Sequence, residues 1–453
     1  MTGLMRLGAF FNPTGHHVAS WRHPRAQADA GINFAHYLDI TRTAERGKFD
    51  MVFLADNLGV RQAHMEALSR SAQYIANFEP LTLLSALATH TSHIGLVATA
   101  STSYNEPFHV ARKFASLDHL SGGRAGWNLV TSGQENEARN FSREKHYEHG
   151  ERYDRAREFA RVVLGLWDTW DDDAFVRDKE TGQFFHPDRL HNLNHRGEHF
   201  AVLGALNIPR SPQGHPVIVQ AGGSDDMIAV AAEFAEVIFC APLTLEAAQS
   251  FYATLKGRLA AYGRSSDAMK IMPGLSCVIG RTDAEAEENY EYLNSLHPIV
   301  AREILSMVLG NVDLTPYPFD GPLPENLPRS NASQSIFQQV TEMARREKLS
   351  IRQVATRVAG ARAKAVIRGS PQTIADYMEQ WFRNDGCDGF NIMPPVLPGG
   401  LDDFVALVIP ELQRRGLFRS EYEGKTLRDN LGLKRPPSRY AEAAHAPRAA
   451  SGG

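Results

Sequence analysis

The chain has 453 residues, 43% hydrophobic and 22% charged, enough apolar material for a large core. Its net charge of −4, from 48 basic and 52 acidic residues, provides no electrostatic footprint for nucleic acid or a membrane surface. Its three cysteines, Cys240, Cys277 and Cys387, have no CxxC spacing, which argues against a disulfide framework or a zinc site. Cys240 and Cys277 sit in apolar runs and read as buried core thiols. No window approaches ~18 consecutive apolar residues, and the first residues lack the basic-then-apolar pattern of a signal peptide. The expectation is a cytoplasmic protein with no membrane or nucleic-acid partner.

Strand-like runs alternate with helical periodicity along the chain. Residues 7–11 read as a strand and 33–46 as a helix. The run 49–54 (FDMVFL) is a second strand, followed by a helix at 81–91. Strand 94–98 precedes helix 107–120, which Gly122-Gly123 stops. Strand 125–131 precedes helix 150–169. Strands at 216–221, 236–240 and 270–279 precede helices at 224–234, 245–262 and 284–296. The last pair is strand 389–393 and helix 401–415.

Eight such units are what an α/β protein of (β/α)8 TIM-barrel class requires. The rival is an open doubly wound sheet, and the absence of GxGxxG after the first strand weakens it. One domain is expected over residues 1–433, with excursions at 170–214 and 298–364. The first excursion reads as loops with a small hairpin. The second holds a Pro-rich stretch and helices near 333–347 and 351–358, and reads either as a lid or as a packing insertion. The tail 434–453 is expected to be disordered.

In a barrel, chemistry sits at the carboxyl ends of the strands. Those ends carry Asp56; Thr99, Ser101, Thr102 and Ser103; Asn128, Thr131 and Ser132; Gln220; and Asn391. Such a cup of hydroxyls and amides suits a polar planar ligand held by hydrogen bonds. Each residue alone reads equally as an ordinary turn or cap; the recurrence is the signal. Gly222-Gly223-Ser224-Asp225 opens a helix and is either an anion site or a plain N-cap. His149 and Tyr153, four apart, share a helix face, for a ligand or as a surface pair. The histidines are irregularly spaced without HExxH, so no metal is expected. No GxSxG or P-loop occurs, and no acid, base or nucleophile is assigned.

Several segments carry a resemblance: ERGKFDMVFLAD (45–56), TSYNEPFHVARKFASLDHLSGGRAGWNLVTS (102–132), EARNF (137–141), EHGERYDRAREF (148–159), RSPQGHPVIVQAGGS (210–224) and RRGLFRSEYEGKTLRDNLGL (414–433). They resemble the bacterial-luciferase-like flavin monooxygenases. More narrowly, they are similar to the group of nitrilotriacetate monooxygenase component A, EDTA monooxygenase, dibenzothiophene-sulfone monooxygenase and long-chain alkane monooxygenase. The resemblance implies a two-component enzyme using FMNH2 supplied by a separate NAD(P)H:flavin reductase. Reduced FMN and O2 would form a C4a-hydroperoxide that oxidises a small organic substrate. It implies flavin contacts at Asp56, Thr102, Asn128, Ser132, His149, Tyr153 and Ser224, with Tyr153 and Ser224 near the phosphate and Asn128 and Ser132 nearer the ring. It places His17 toward the substrate. Gly133 stands where the alkane enzyme has a histidine, so that enzyme's pocket does not transfer. YNEPF and DGPLPENLP resemble the aminopolycarboxylate enzymes most, which implies an aminopolycarboxylate such as nitrilotriacetate, cleaved at C–N, with His16, His17 or Arg22 as nearby cations. The alternatives are a sulfone or alkane substrate, a deazaflavin-dependent reductase, or a flavin-binding protein without catalysis. A homo-oligomer, dimer or tetramer, is also implied.

Overall fold

Alternation along the strands builds the architecture. In β1 (Arg6–Phe11), Leu7, Ala9 and Phe11 face a shell of helices while Phe10 faces inward. The same period of two runs through β2 (Met51–Leu54), β3 (Gly95–Ser101) and β4 (Ala125–Val130), as the pleat requires. The chain then forms a two-residue antiparallel hairpin, β5 (His195–Arg196) and β6 (Ala201–Val202). It continues through β7 (Val217–Ala221), β8 (Val237–Cys240), β9 (Lys270–Ile279), β10 (Ala365–Gly369) and β11 (Gly389–Ile392). This computed structural model describes residues 3–60, 65–70, 72, 75–296, 301–310, 312–327, 334–361 and 365–441.

Parallel pairing runs β1-β2-β3-β4-β7-β8-β9-β11 and returns to β1, closing an eight-stranded barrel. Closure is set by Leu7 opposite Phe390 and Asn391 opposite Gly274. Inside, Phe10, Met51, Phe53, Val97, Val219 and Met272 fill the barrel as a packed core. Each strand is buried on both faces, so it reads as a continuous apolar run.

β10 lies outside this ring and is absent from the sequence reading. β9 is ten residues long and continues beyond its pairing with β11 at Ile392–Leu275. β10 covers that free edge, from Ala365 opposite Leu275 to Gly369 opposite Ile279. Ser370 then caps the helix Pro371–Arg383 by accepting from Thr373 N. The final helix, expected as one piece, divides into Gly399–Asp403, a π segment Phe404–Val408 and Ile409–Arg414. Pro410 removes one backbone donor, and the π turn accommodates the loss.

The excursion after β9 carries a satellite core in which Leu305, Leu309, Val340, Met343, Val354 and Val358 pack together. Residues 297–300, 311, 328–333 and 362–364 of that expected excursion lie outside the described residues. The earlier excursion is held by Trp170 against Phe175 and Phe185. No described helix is long and apolar enough to cross a membrane. All three cysteines are buried and free.

The amino end of the barrel is plugged by the helix Leu427–Leu431. Leu427 and Leu431 join the interior cluster, and Gly95 makes room: a Cβ there would lie 2.4 Å from Leu427 Cδ1. Arg428, buried, pairs with Glu236 and donates to His215 O at 2.9 Å. Leu427→Ala is expected to destabilise the fold by about 2–4 kcal/mol, because the rigid strand ends cannot collapse into the cavity; thermal melting checks this. Of the tail expected to be disordered, residues 434–441 lie against the 168–191 region. Arg435 pairs with Asp172 at 2.6 Å, and Tyr440 stacks on His191 at 4.1 Å. Residues 442–453 fall outside the described residues.

Candidate functional site

The carboxyl ends of β2, β3, β4 and β7 surround a cavity of about 560 Å3. Asp56 and Asn57 follow β2, Thr99 and Ser101 end β3, Ser132 follows β4, and Tyr153 and Gln220 close the far side. Burial pushes the Asp56 carboxyl up to about 6, with Glu79 and Glu137 adding to the effect.

The polar groups are oriented by one another. Thr99 Oγ1 donates to Leu54 O at 2.7 Å and accepts from Asn128 Nδ2 at 2.8 Å. That fixes the Asn128 amide and leaves its Oδ1 buried without a hydrogen-bond partner. Gln220 Oε1 and Asn57 Nδ2 are likewise buried and unpartnered. Asn57 and Gln220 line the cavity, and Asn128 stands behind its lining residue Thr99; such unpartnered atoms are costly unless a ligand satisfies them. Ser132 has φ of 53°, in the left-handed region, and its hydroxyl meets Ser101 Oγ at 2.8 Å.

Glu137 lines the cavity and is a residue that the sequence marks only indirectly. Its Oε1 accepts from Leu58 N at 3.0 Å, and its Oε2 from Gln134 N at 3.3 Å and Gly133 N at 3.4 Å. One carboxylate therefore ties the loops after β2 and β4 together. The Gln134–Glu137 capping-box spacing is the signal that would have found it.

Four expected cofactor contacts, Thr102, Asn128, His149 and Ser224, stand off the cavity wall. Thr102 is buried, but its hydroxyl donates to Val130 O at 3.2 Å, toward β4. His149 Nδ1 lies 3.0 Å from Asp226 Oδ2, half-exposed, with its ring 5.0 Å from that of Tyr153. Ser224 is the N-cap of the helix Asp225–Phe234, accepting from Met227 N at 3.3 Å. Of His149, Tyr153 and Ser224, only Tyr153 lines the cavity, with Gln220 and Ala221; His149 reaches it through its ring contact with Tyr153.

His17 occupies the β1–β11 side of the barrel mouth, its backbone held by Pro395 O. It is buried; Nε2 donates to Asn294 Oδ1 at 3.2 Å, and Nδ1 accepts from Ala19 N at 3.1 Å. His16 instead donates from Nε2 to the Phe10 carbonyl at 2.9 Å, a structural contact. Arg22 is exposed and donates to Leu296 O at 2.5 Å.

A second cavity, about 640 Å3, lies against β10 and the helices Gln334–Arg346 and Ile351–Ala361. Its arginines are matched by acids: Arg352 with Asp320, Arg357 with Glu347, Arg368 with Glu287. Its lining includes Leu243 after β8 and Asn294, the partner of His17, but the 560 Å3 cavity, walled by the ends of four barrel strands, is the better candidate. Among the described residues, no group of three or more His, Cys, Asp or Glu side chains is arranged to hold a metal.

Residues 14–389 match the family described as luciferase-like monooxygenase. The chain is 53% identical to N-acetyl-S-(2-succino)cysteine monooxygenase of Bacillus subtilis, over 97% of this chain and 98% of that protein. It is 49% identical to nitrilotriacetate monooxygenase component A of Aminobacter aminovorans, over 97% and 98% of the two chains. A riboflavin lyase solved with modified FMN and riboflavin superposes with a TM-score of 0.86 at 31% identity, covering 97% of this chain and 98% of that one. The chain belongs to the luciferase-like monooxygenase family and is a flavin-dependent monooxygenase.

Proposed function

We propose that the cavity at the ends of β2, β3, β4 and β7 holds reduced FMN, and that the enzyme uses it with O2 to oxidise a small substrate carrying several carboxylates. The observation that carries this reading is the trio of buried, unpartnered amide atoms, Asn57 Nδ2, Asn128 Oδ1 and Gln220 Oε1. The Asn57 donor and the Gln220 acceptor line the cavity, with the Asn128 acceptor behind Thr99, and together they complement a flat heterocycle that has both carbonyl oxygens and a ring N–H. When bound, the reduced flavin supplies the two electrons that, with O2, put one oxygen atom into the substrate and release the other as water.

The residues divide the cavity by charge. Asp56, Glu79 and Glu137 make one side acidic, unsuited to a phosphate. Tyr153 and Ser224, beside the amino end of the helix Asp225–Phe234, offer hydroxyls and a positive helix terminus at the other side, where Asp226 is paired with His149 and Asp225 is exposed to solvent. The phosphate is therefore assigned to Tyr153, Ser224 and His149, and the ring to Asn128, Ser132 and Asp56. Thr102 acts through the β3–β4 contact rather than by touching the ligand. His17, whose Nε2 carries a proton, is assigned to the substrate's side of the mouth.

Substrate class follows the two relatives named above, whose names denote polycarboxylates built on a sulfur or nitrogen atom. An S-(2-succino) thioether thus joins the aminopolycarboxylate expectation. A separate NAD(P)H:flavin reductase partner and a homo-oligomer belong to the same proposal. The test is product analysis with enzymatically reduced FMN, with and without O2, on a panel of thioether dicarboxylates, aminopolycarboxylates, sulfones and alkanes. O2-dependent oxidation of a polycarboxylate is expected. Turnover confined to sulfones or alkanes would contradict the substrate class, and O2-independent turnover would favour a reductase.

A further inference from the structure

Behind the wall of the cavity lies a chain of polar side chains to which no role has yet been given. Arg152, in the helix His149–Trp167, is 4% exposed. Its Nη1 donates to Ser132 O at 2.7 Å and lies 3.2 Å from His146 Nε2. A guanidinium only donates, so His146 Nε2 must be the accepting, unprotonated nitrogen. The proton then sits on Nδ1, which donates to Tyr104 Oη at 2.5 Å. Tyr104 is itself fixed between the stacked ring of Phe141, at 4.8 Å, and that of His146, at 5.4 Å. The His146 backbone N–H is held by Glu135 at 3.2 Å.

Two features set this chain apart from ordinary packing. Arg152 has no carboxylate within ion-pair distance among the described residues, and its Nε is buried without a partner. A buried cation without a direct ion pair, with Glu135 and Glu137 acting on it only through space, is expensive. Its charge is also aimed at one place. Nη1 lies against the carbonyl of Ser132, whose φ of 53° is the left-handed turn at the cavity wall, and 3.8 Å from where a Cβ on Gly133 would sit.

We propose that Arg152, oriented by His146 and Tyr104, is a positioning residue for the cofactor: it holds the Ser132 peptide in its left-handed turn and places a positive field behind the cavity that favours reduced over oxidised flavin. The inference rests on the flavin reading of the cavity. Reduced flavin carries negative charge on its ring near neutral pH and oxidised flavin does not, so a buried cation one peptide away, which Glu135 and Glu137 offset only through space, distinguishes them. His146 acts by direction alone. Its accepting nitrogen fixes one Nη1 hydrogen, which leaves the other on Ser132 O.

The test is equilibrium binding, without turnover. FMN is titrated into the full chain in its oxidised form, and under argon in its photoreduced form, and both dissociation constants are read by absorbance and fluorescence. The wild type is expected to prefer reduced FMN. His146→Leu and Arg152→Gln are expected to weaken reduced-FMN binding about tenfold, with oxidised FMN changing less than about threefold. His146→Gln, whose amide oxygen still accepts from Arg152, is expected to restore reduced-FMN binding to within about threefold of wild type. If Arg152→Gln does not fold, the Leu and Gln replacements of His146 decide the matter. Equal losses for both redox forms, no loss, or failure of His146→Gln to rescue would overturn the proposal. If the wild type binds neither form, it is the flavin reading of the cavity that falls, and this inference with it.

Discussion

Replacing Arg419 with methionine is expected to destabilise the protein by about 3–5 kcal/mol, because it strands a carboxylate inside the barrel wall. Asp50 is fully buried, with Oδ2 accepting from Leu7 N at 2.7 Å and Oδ1 from Arg419 Nη2 at 2.6 Å. The same Nη2 donates to Asn430 O at 2.6 Å, so one guanidinium joins the start of β2 to the C-terminal plug. Removing it leaves Asp50 with a backbone N–H and the more distant Arg6. The measurement is a denaturant or thermal melt of wild type, Arg419→Met, and the double variant with Asp50→Asn. The double variant should recover part of the loss, since the stranded charge is gone. A cost below about 1 kcal/mol for Arg419→Met would show that water reaches Asp50 and that the pair does not lock the barrel end.

Asp56→Asn is expected to act in the opposite sense, stabilising the ligand-free protein while weakening FMN binding. The folded protein holds this carboxyl at about 6 against an ordinary value of 3.8, chiefly through burial. A raised carboxyl makes ionisation unfavourable to the folded state. The penalty is therefore absent below about pH 4, develops between about 4 and 6, and is complete above 6. A displacement of that size corresponds to about 3 kcal/mol at most, and about 1–3 kcal/mol is expected at pH 8. Asp56→Asn should thus melt higher than wild type at pH 8 and alike at pH 4. Equal melting at both values would show that Asp56 is better hydrated than its surroundings suggest. A charge kept in a cavity at a cost to stability is the mark of a working site.

The barrel was legible because its strands are buried on both faces. FDMVFL, IGLVA and PVIVQA have almost no polar interruption, and Gly122 ends its helix with φ of 67°. β10 was not legible. It is five residues long, carries Arg368, and exists to cover an edge that only the length of β9 creates. The helix after it shows every start signal, Ser370 then Pro371, but is hidden by the strand that should introduce it. At the site, strand-end position pointed to Asp56, Ser132 and Gln220 and helix spacing to Tyr153, and all four line the same cavity. Position says nothing of direction. Thr102 turns to Val130, and His149 to Asp226. The Tyr104–His146–Arg152 chain was invisible for a further reason: Tyr104 and His146 are 42 residues apart, and no local spacing announces them.

The most direct test of the central claim is a structure of the chain with photoreduced FMN bound under anaerobic conditions. The flavin ring is predicted within hydrogen-bond distance of Asn128 Oδ1 and Gln220 Oε1, with its phosphate beside Tyr153 and Ser224. A flavin bound elsewhere, with those amide atoms still unpartnered, would contradict the assignment.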